Sequence, residues 1–546
     1  MRPPAGRDVS GSFAIRRRCI ALAEFSPEKA YSAVKPSEFA RQRWFRHKLS
    51  HVTDFEILDC AEFESGVTAD QCLVLGILRF EGAGDYFVPV VAESLLPGSG
   101  EKCPKAYGVI EDGSSGEKAV VYDGAFHPMY VNTLLDLIES DATIPAVKGQ
   151  FRFRKIVSSR AERGWEISQV GDAYTNSVVI VQRRSALKTF RVMTPGINPD
   201  VEVGIALATE TDFRETPRVQ GEVSYVDSCG VEYSVAVQTE EVPNIGDAWE
   251  LVEIALTEAM KSVAHGLKEG DAKFSDFDGI LSADASRRLG ATIGRFHQAM
   301  ASIDAPGFGV RRAGPGDIDM WRRNARARAC GALADIRHAL DCGLLADDAD
   351  AAYAAERVLA AEESILEAAE RMLWGLAPDL NGAGMVIRCH GDLHLGQILV
   401  RPDGSYAILD FEGEPMASLE ERRALHSPAR DVAGMLRSYS YAANAAMAAA
   451  RANCEAECLC KLESLVNEWE SRARTAFLEG YFGEACSGVG NLLPGDFRAR
   501  CALVSYFELD KAMYEAGYEL NNRPDWAVIP LKGILQIMER RGGNTR

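Results

Sequence analysis

Near Asn244 the chain changes its hydrophobic periodicity, and that change limits the fold more than any other feature. Before it, apolar runs such as Leu73–Leu78, Tyr86–Ala92, Phe151–Val157, Val178–Gln182 and Ser234–Gln238 stand between glycine-rich and Pro-Gly turns, the pattern of antiparallel sheet. One helix interrupts them, starting near Pro199. After it, Leu251–Lys268, Ala283–Ser302, Trp321–His338, Ala349–Leu376, Ala429–Glu479 and Phe497–Tyr518 repeat their apolar residues near every 3.6 positions, which predicts helices. The expectation is an α+β chain with a leader over 1–29, a β-rich domain over 30–147, a sheet with one helix over 148–242 and a helical domain over 243–546. Cys389–Gly413 breaks the helical pattern with a loop and hairpin, and irregular backbone set in a scaffold is where chemistry is usually placed.

Composition narrows the function classes. The 546 residues carry 60 Lys and Arg against 79 Asp and Glu, a formal charge of −19, which disfavours a main task of neutralising nucleic-acid phosphates or gripping an anionic membrane. No apolar run reaches the ~18 residues of a spanning helix; the nearest, Tyr441–Ala450, is alanine-rich and interrupted by Asn444. Arg16-Arg17-Arg18 is followed by an apolar stretch too short for a secretory signal. Thirteen cysteines, an odd number over a long chain, fit reduced thiols in a cytoplasm. Cys454, Cys458 and Cys460 cluster, but on a segment that reads as a helix, where packing thiols are expected rather than a metal site.

The chemistry concentrates in His390-Gly-Asp-Leu-His-Leu-Gly-Gln397, followed by a hairpin and then Asp410-Phe-Glu-Gly-Glu414. Asp403-Gly404 reads as a two-residue turn, so partners should sum to about 807, which puts Gln397 directly opposite Asp410. Hard oxygen donors held this way suit Mg²⁺, with nucleotide phosphates completing its octahedron. Asp392, on the loop entering the first strand, is then free to accept a proton. Together these are the working parts of kinase phosphoryl transfer. A zinc site on His390 and His394 is the rival reading, but Gly391 and the loop context spoil the helical face such a pair needs.

A kinase also needs a cation for the nucleotide phosphates. Lys188, in the β-like run Ala-Leu-Lys-Thr-Phe, is the candidate, and Glu202, in the first turn of the helix beginning at Pro199, is its expected partner. Upstream, Gly171–Ser177 lies between strands and could close over phosphates with backbone N–H and hydroxyl donors.

These residues and their order resemble bacterial maltokinases, ATP-dependent enzymes with an aminoglycoside-phosphotransferase-like, protein-kinase-like bilobal fold. The resemblance runs through Gln42-Arg-Trp-Phe45, Thr175-Asn-Ser-Val178, Pro195-Gly-Ile-Asn-Pro-Asp-Val-Glu202, Asn244-Ile-Gly-Asp-Ala-Trp249, His390–Gln397, Asp410–Pro415, Ser427–Arg437, Phe507–Lys511 and Asn522–Trp526. It implies Asp392 as catalytic base, Gln397 and Asp410 as Mg²⁺ ligands, and Lys188 with Glu202 and Ser177 at ATP. It further implies Gln238–Val242 as the hinge meeting adenine, and His390, Glu412, Glu414, Lys511, Tyr514 and Arg523 lining the sugar groove. An N-terminal cap ahead of the kinase N-lobe fits the β-rich first region.

The resulting expectation is phosphorylation of maltose to maltose 1-phosphate. Glucosamine, another sugar or an aminoglycoside is the alternative acceptor. A non-catalytic partner of a trehalose- or maltose-converting enzyme is the reading from a different class.

Overall fold

The computed structural model describes residues 26–46, 52–64, 71–94, 106–111, 118–157, 167–169, 176–269, 278–373, 382–414, 417–453, 456–487 and 490–543. The phosphate-loop expectation therefore falls outside them except for Asn176 and Ser177, as do most of the leader and Cys454. The chain divides into two units, 1–197 with 220–240, and 198–219 with 241–546.

In the first unit, helices α1 (Pro27–Ser32) and α2 (Pro36–Arg41) precede an antiparallel sheet of β1 (Phe55–Glu64), β2 (Gln71–Phe80), β3 (Gly84–Phe87), β4 (Val90–Ser94), β5 (Ala106–Glu111) and β6 (Lys118–Asp123). Helix α3 (Pro128–Glu139) follows. A second sheet contains β7 (Thr143–Pro145), β8 (Gln150–Lys155), β9 (Ile167–Gln169), β10 (Ser177–Val181), β11 (Ser185–Thr189), β12 (Val219–Val226) and β13 (Glu232–Glu240), in the order β7-β8-β12-β13-β11-β10-β9.

The two regions expected as cap and N-lobe share one hydrophobic core. Tyr130, Val131, Leu134 and Ile138 of α3 pack with Leu73, Leu75 and Ile77 of β2 and with Phe151, Phe153 and Val223 of the second sheet. Helix α3 was not expected. It begins Pro-Met-Tyr-Val-Asn-Thr-Leu-Leu, and its N-terminus is capped by His127, which accepts the Met129 N–H at 3.1 Å. Buried on a single stripe between two sheets, it makes one body of them.

The second unit opens with α4 (Pro199–Glu210), then α5 (Ala248–Glu269), α6 (Ala283–Ser302), β14 (Arg311–Arg312), α7 (Pro315–Asp341), α8 (Ala349–Ala360), α9 (Glu362–Arg371), β15 (Met385–Arg388), β16 (Ile398–Val400) and β17 (Tyr406–Ile408). It closes with α10 (Leu419–Arg423), β18 (Leu425–His426), α11 (Ala429–Asn453), α12 (Ala456–Ala485), α13 (Phe497–Asn522) and α14 (Val528–Gly543). Two expected helices are each two: Ala349–Leu376 turns at Ala361, and Ala429–Glu479 divides between α11 and α12. Periodicity runs through such breaks because both halves bury alanine-rich faces.

Glycine sets the closest approach. A Cβ on Gly290 of α6 would lie 2.0 Å from the Phe477 carbonyl oxygen, and one on Gly480 of α12 would lie 2.0 Å from that of Arg287. The helices α7, α8 and α9 close a separate core with α13 and α14 through Leu333, Ile336, Val358, Ile365, Leu509 and Leu531. No helix among the described residues is long and apolar enough to cross a membrane.

Candidate active site

Strand β15, paired on either side with β14 and β18, delivers the chain into Cys389–Gln397. That loop is held from α11. Asp431, fully buried, accepts the His390 N–H at 2.8 Å on one carboxylate oxygen and the Gly391 N–H at 2.9 Å on the other. Its first oxygen also meets His297 Nε2 at 3.0 Å, and His297 Nδ1 reaches the Tyr481 hydroxyl at 2.8 Å. Burial works to raise the Asp431 carboxyl, but the hydrogen bond and charge of His297, with the backbone donors, bring it down to about 2. Gly434 completes the contact: a Cβ there would stand 2.5 Å from the Leu393 carbonyl oxygen, so α11 approaches the loop at a distance only glycine permits.

Both loop histidines are committed to backbone. His390 Nδ1 accepts the Asp392 N–H at 3.3 Å, which leaves Nε2–H to donate to the Leu409 carbonyl at 2.8 Å. His394 Nδ1 accepts the Gly396 N–H at 3.1 Å. His390 thus orients the loop.

The hairpin forms, with a register one residue from that expected. Ile398 pairs with Ile408, Leu399 with Ala407 and Val400 with Tyr406, so Gln397 stands opposite Leu409, whose N–H it accepts at 2.9 Å. The turn has three residues, Pro402, Asp403 and Gly404. Arg401 N–H bonds the Ser405 carbonyl, Gly404 takes a left-handed φ of 78°, and Asp403 accepts from both the N–H and the hydroxyl of Ser405. Gln397 and Asp410 still meet, because Asp410 itself is left-handed at φ 63° and turns its carboxylate back, so that Gln397 Nε2 donates to it at 3.3 Å. Both hairpin edges are covered: Val400 exchanges bonds with Ile245 and Gly246, and Ile408 bonds Glu215 and Thr216.

A further acid joins Asp410. Asp200, in the first turn of α4, accepts the Phe411 N–H at 2.9 Å, and ligand atoms of Asp200, Asp410 and Glu412 lie within 4.8 Å of one another. Phe411 is buried, stacked on Phe296 with centroids 5.5 Å apart. Sequence reasoning missed Asp200. Glu202, expected at Lys188, has one carboxylate oxygen 3.0 Å from both Arg388 and Arg423, which ties α4 to β15 and α10. Carboxylates with an amide beside them are hard oxygen donors, which fit Mg²⁺ and would suit softer metals poorly.

Asp392 also faces α13. Lys511 Nζ is 3.5 Å from Asp392 Oδ1 and 3.3 Å from Glu414 Oε1, while Arg430 holds the second Glu414 oxygen at 3.1 Å. Burial would raise the Glu414 carboxyl, but Lys511, Arg430 and Arg328 carry it down to about 2. Burial would lower the Lys511 ammonium, and the Asp392 and Glu414 carboxylates raise it instead. Tyr514 lies under Lys511, 5.0 Å from ring centroid to Nζ. Arg523 is placed elsewhere, just past the end of α13: it pairs with Glu519 and stacks on Tyr518 and Trp526.

In the first unit, Lys188 is the penultimate residue of β11, opposite Val178 and Val237. The Ser177 hydroxyl accepts from Arg191 Nε at 2.8 Å, and the buried Gln238 amide donates to Gln220 at 2.9 Å. The side chains of Ser177 and Gln238 are therefore already used inside the fold, and both residues stand in paired strands, Ser177 opposite Thr189 and Gln238 opposite Leu187. Val242 is buried in the second unit, and its carbonyl accepts from Asn244.

Within the second unit, Asp392 on an anchored loop stands with Asp410 and the Gln397 amide at the end of the following hairpin. Residues 269–458, which include Asp392, Gln397, Asp410 and Asp431, match the phosphotransferase enzyme family. Over that stretch the chain is similar to phosphotransferases. It is 25% identical over 386 residues to a glucosamine kinase of Mycolicibacterium smegmatis, covering 70% of this chain and 81% of that one. It is 27% identical over 156 residues to a glucosamine kinase of Streptacidiphilus jiangxiensis, covering 29% of this chain and 32% of that one. Among solved structures, a glucosamine kinase in complex with glucosamine, ADP and inorganic phosphate superimposes with a TM-score of 0.60 at 20% identity, over 94% of this chain and 99% of that one. The kinase-like α+β fold expected from the sequence is the fold observed.

Proposed function

We propose that this chain is an ATP-dependent sugar kinase. The observation that carries the reading is Asp392 itself: its loop is hydrogen-bonded down by Asp431 and tied by His390 to Leu409 at the hairpin end, and its carboxylate is 3.5 Å from Lys511. A sugar hydroxyl gives its proton to Asp392 as its oxygen bonds to the γ-phosphorus. The bond from that phosphorus to the β–γ bridging oxygen breaks, and ADP leaves. Asp410, the Gln397 oxygen and Asp200 or Glu412 are the residues that would hold Mg²⁺, whose charge would offset that of the phosphates. Lys188 is the proposed cation for the α- and β-phosphates.

The acceptor side combines ionised and aromatic groups, Glu414, Lys511 and Tyr514, which suit the directional hydroxyls and apolar ring faces of a sugar. Maltose is favoured by the motifs from Gln42-Arg-Trp-Phe45 to Asn522–Trp526. Glucosamine is the second reading, favoured by the two glucosamine kinase relatives.

The purified chain, incubated with ATP and Mg²⁺, should release ADP with one of maltose, glucose or glucosamine, read by a coupled assay and by the mass of the phosphorylated sugar. Turnover with glucosamine and none with maltose would overturn the first acceptor. No turnover with any sugar would sink the kinase reading in favour of a non-catalytic partner role.

A further inference from the structure

We infer that Arg191 is a positioning residue through which the N-terminal β-rich region holds the strand hairpin carrying Lys188. The inference rests on the proposed role of Lys188 at the nucleotide phosphates. All of its observations lie within the first unit.

Strands β10 and β11 form a hairpin whose open end is the pair Ser177 and Thr189, one residue beyond Lys188. Both members of that pair are tied to the N-terminal region by side chains. On one strand, Ser177 Oγ accepts from Arg191 Nε at 2.8 Å, and the same guanidinium gives its Nη2 to both oxygens of Asp123, at 2.8 and 2.9 Å. On the other, Thr189 Oγ1 meets the hydroxyl of Tyr130, on α3, at 2.9 Å. Asp123 in turn accepts from the Tyr107 hydroxyl at 2.6 Å, from Trp44 Nε1 at 3.3 Å and from the Ala125 N–H at 3.2 Å. Trp44 also lies against the guanidinium, 4.7 Å from its ring centroid. The backbone continues the tie: Phe87 donates to the Arg191 carbonyl at 2.8 Å, Met193 to that of Asp85 at 2.9 Å, and Tyr86 bridges Val192.

Core stability alone does not call for this arrangement. The Arg191 and Asp123 side chains are both 0% exposed, and Arg191 Nη1 is a buried nitrogen without an acceptor among the described residues. Buried ion pairs cost desolvation that well-packed apolar side chains avoid. What a guanidinium adds over an apolar core is direction: a planar fork fixes Asp123, Ser177 and the Arg191 backbone in one geometry. The group so fixed is the end of the hairpin, one residue from Lys188.

Two full-length variants test it, Arg191→Lys, which keeps the charge and loses the fork, and Tyr130→Phe, which removes a single hydroxyl. ADP affinity is measured by calorimetry, and KM for ATP and for the sugar by initial rates. Arg191→Lys should weaken ADP binding and raise KM for ATP by roughly fivefold or more, and Tyr130→Phe by roughly two- to tenfold, with KM for the sugar nearly unchanged in both. Folded variants that melt lower yet bind ADP with wild-type affinity would show a structural role only and overturn the inference. Should Arg191→Lys fail to fold, Tyr130→Phe decides alone. A wild-type chain that binds no ADP would instead remove the proposed role of Lys188, and the inference with it.

Discussion

Asp392, the proposed base, and Asp200, a proposed metal ligand, differ at the scale of single residues in how they could be found. Asp392 stands in a motif whose spacing alone points to a proton acceptor, and Asp392→Asn should lower kcat by roughly 10²–10⁴-fold while leaving ADP affinity within about twofold. Rates with saturating ATP and calorimetry with ADP check it, and retained turnover would remove Asp392 as the base. Asp200 shares a helical first turn with Glu202, where the macrodipole favours any acid. Two residues apart on a helix are turned by about 200°, so the two carboxylates leave the axis on nearly opposite sides, and the local sequence does not say which side meets Asp410. In the structure Asp200 bonds the Phe411 N–H, while Glu202 joins Arg388, whose side chain is 1% exposed, and Arg423. The two should therefore fail differently. Asp200→Asn should raise the Mg²⁺ concentration for half-maximal rate with little change in stability. Glu202→Gln should cost roughly 2–3 kcal/mol by leaving a buried guanidinium underpaired, with the Mg²⁺ requirement unmoved. Urea unfolding and Mg²⁺ titration of both variants decide, and exchanged phenotypes would reverse the roles.

Elements hold these residues by backbone bonds that residue patterns only partly announce. The hairpin was legible because Asp403-Gly404 lies between two apolar triplets, yet its register was not, because Pro402 joins the loop and adds a residue. A left-handed Asp410 then restored the contact with Gln397, a conformation that no propensity for aspartate would single out. The anchoring of the loop by α11 was less legible still: Asp431 lies 40 residues after Gly391, and only the fold brings it to the loop. Its energetics have a pH signature. A carboxyl brought from an ordinary 3.8 down to about 2 in the folded chain contributes stability that is full above pH 4 and is lost as pH falls through 2, on the order of 2 kcal/mol. Asp431→Asn should therefore be less stable than wild type at pH 5, and the gap should narrow as unfolding is repeated toward pH 2. Glu414, also held down to about 2, titrates in both proteins and cancels from the difference. A gap independent of pH would mean that the ionised form of Asp431 carries no share of the anchoring.

For the whole molecule, periodicity separated a sheet-rich half from a helical half, and the structure divides near the same place, except that 198–219 with α4 belongs to the helical unit. The reason is visible in α4: Val203, Ala206 and Leu207 enter the core of α5 and α6, and the arginine clamp on Glu202 comes from β15 and α10. The N-terminal region was expected to stand apart from the strands that follow it, because the one apolar stripe of a helix such as α3 gives no sign that both its neighbours are sheets. Net charge acts at this scale too. With −19 spread over 546 residues, the approach of ATP, itself a polyanion, meets a repulsive field that extends about 30 Å at 0.01 M salt and about 8 Å at 0.15 M. The attraction proposed between Lys188 and phosphate would act over a few ångströms and survive the higher salt better. Raising sodium chloride from 0.01 to 0.15 M at fixed Mg²⁺ should therefore lower KM for ATP, by about twofold, with KM for an uncharged sugar unmoved. A protein whose nucleotide is steered in by a dominant basic surface shows the opposite trend, so a KM for ATP that climbs steadily from the lowest salt would mean that local cations outweigh the acidic whole.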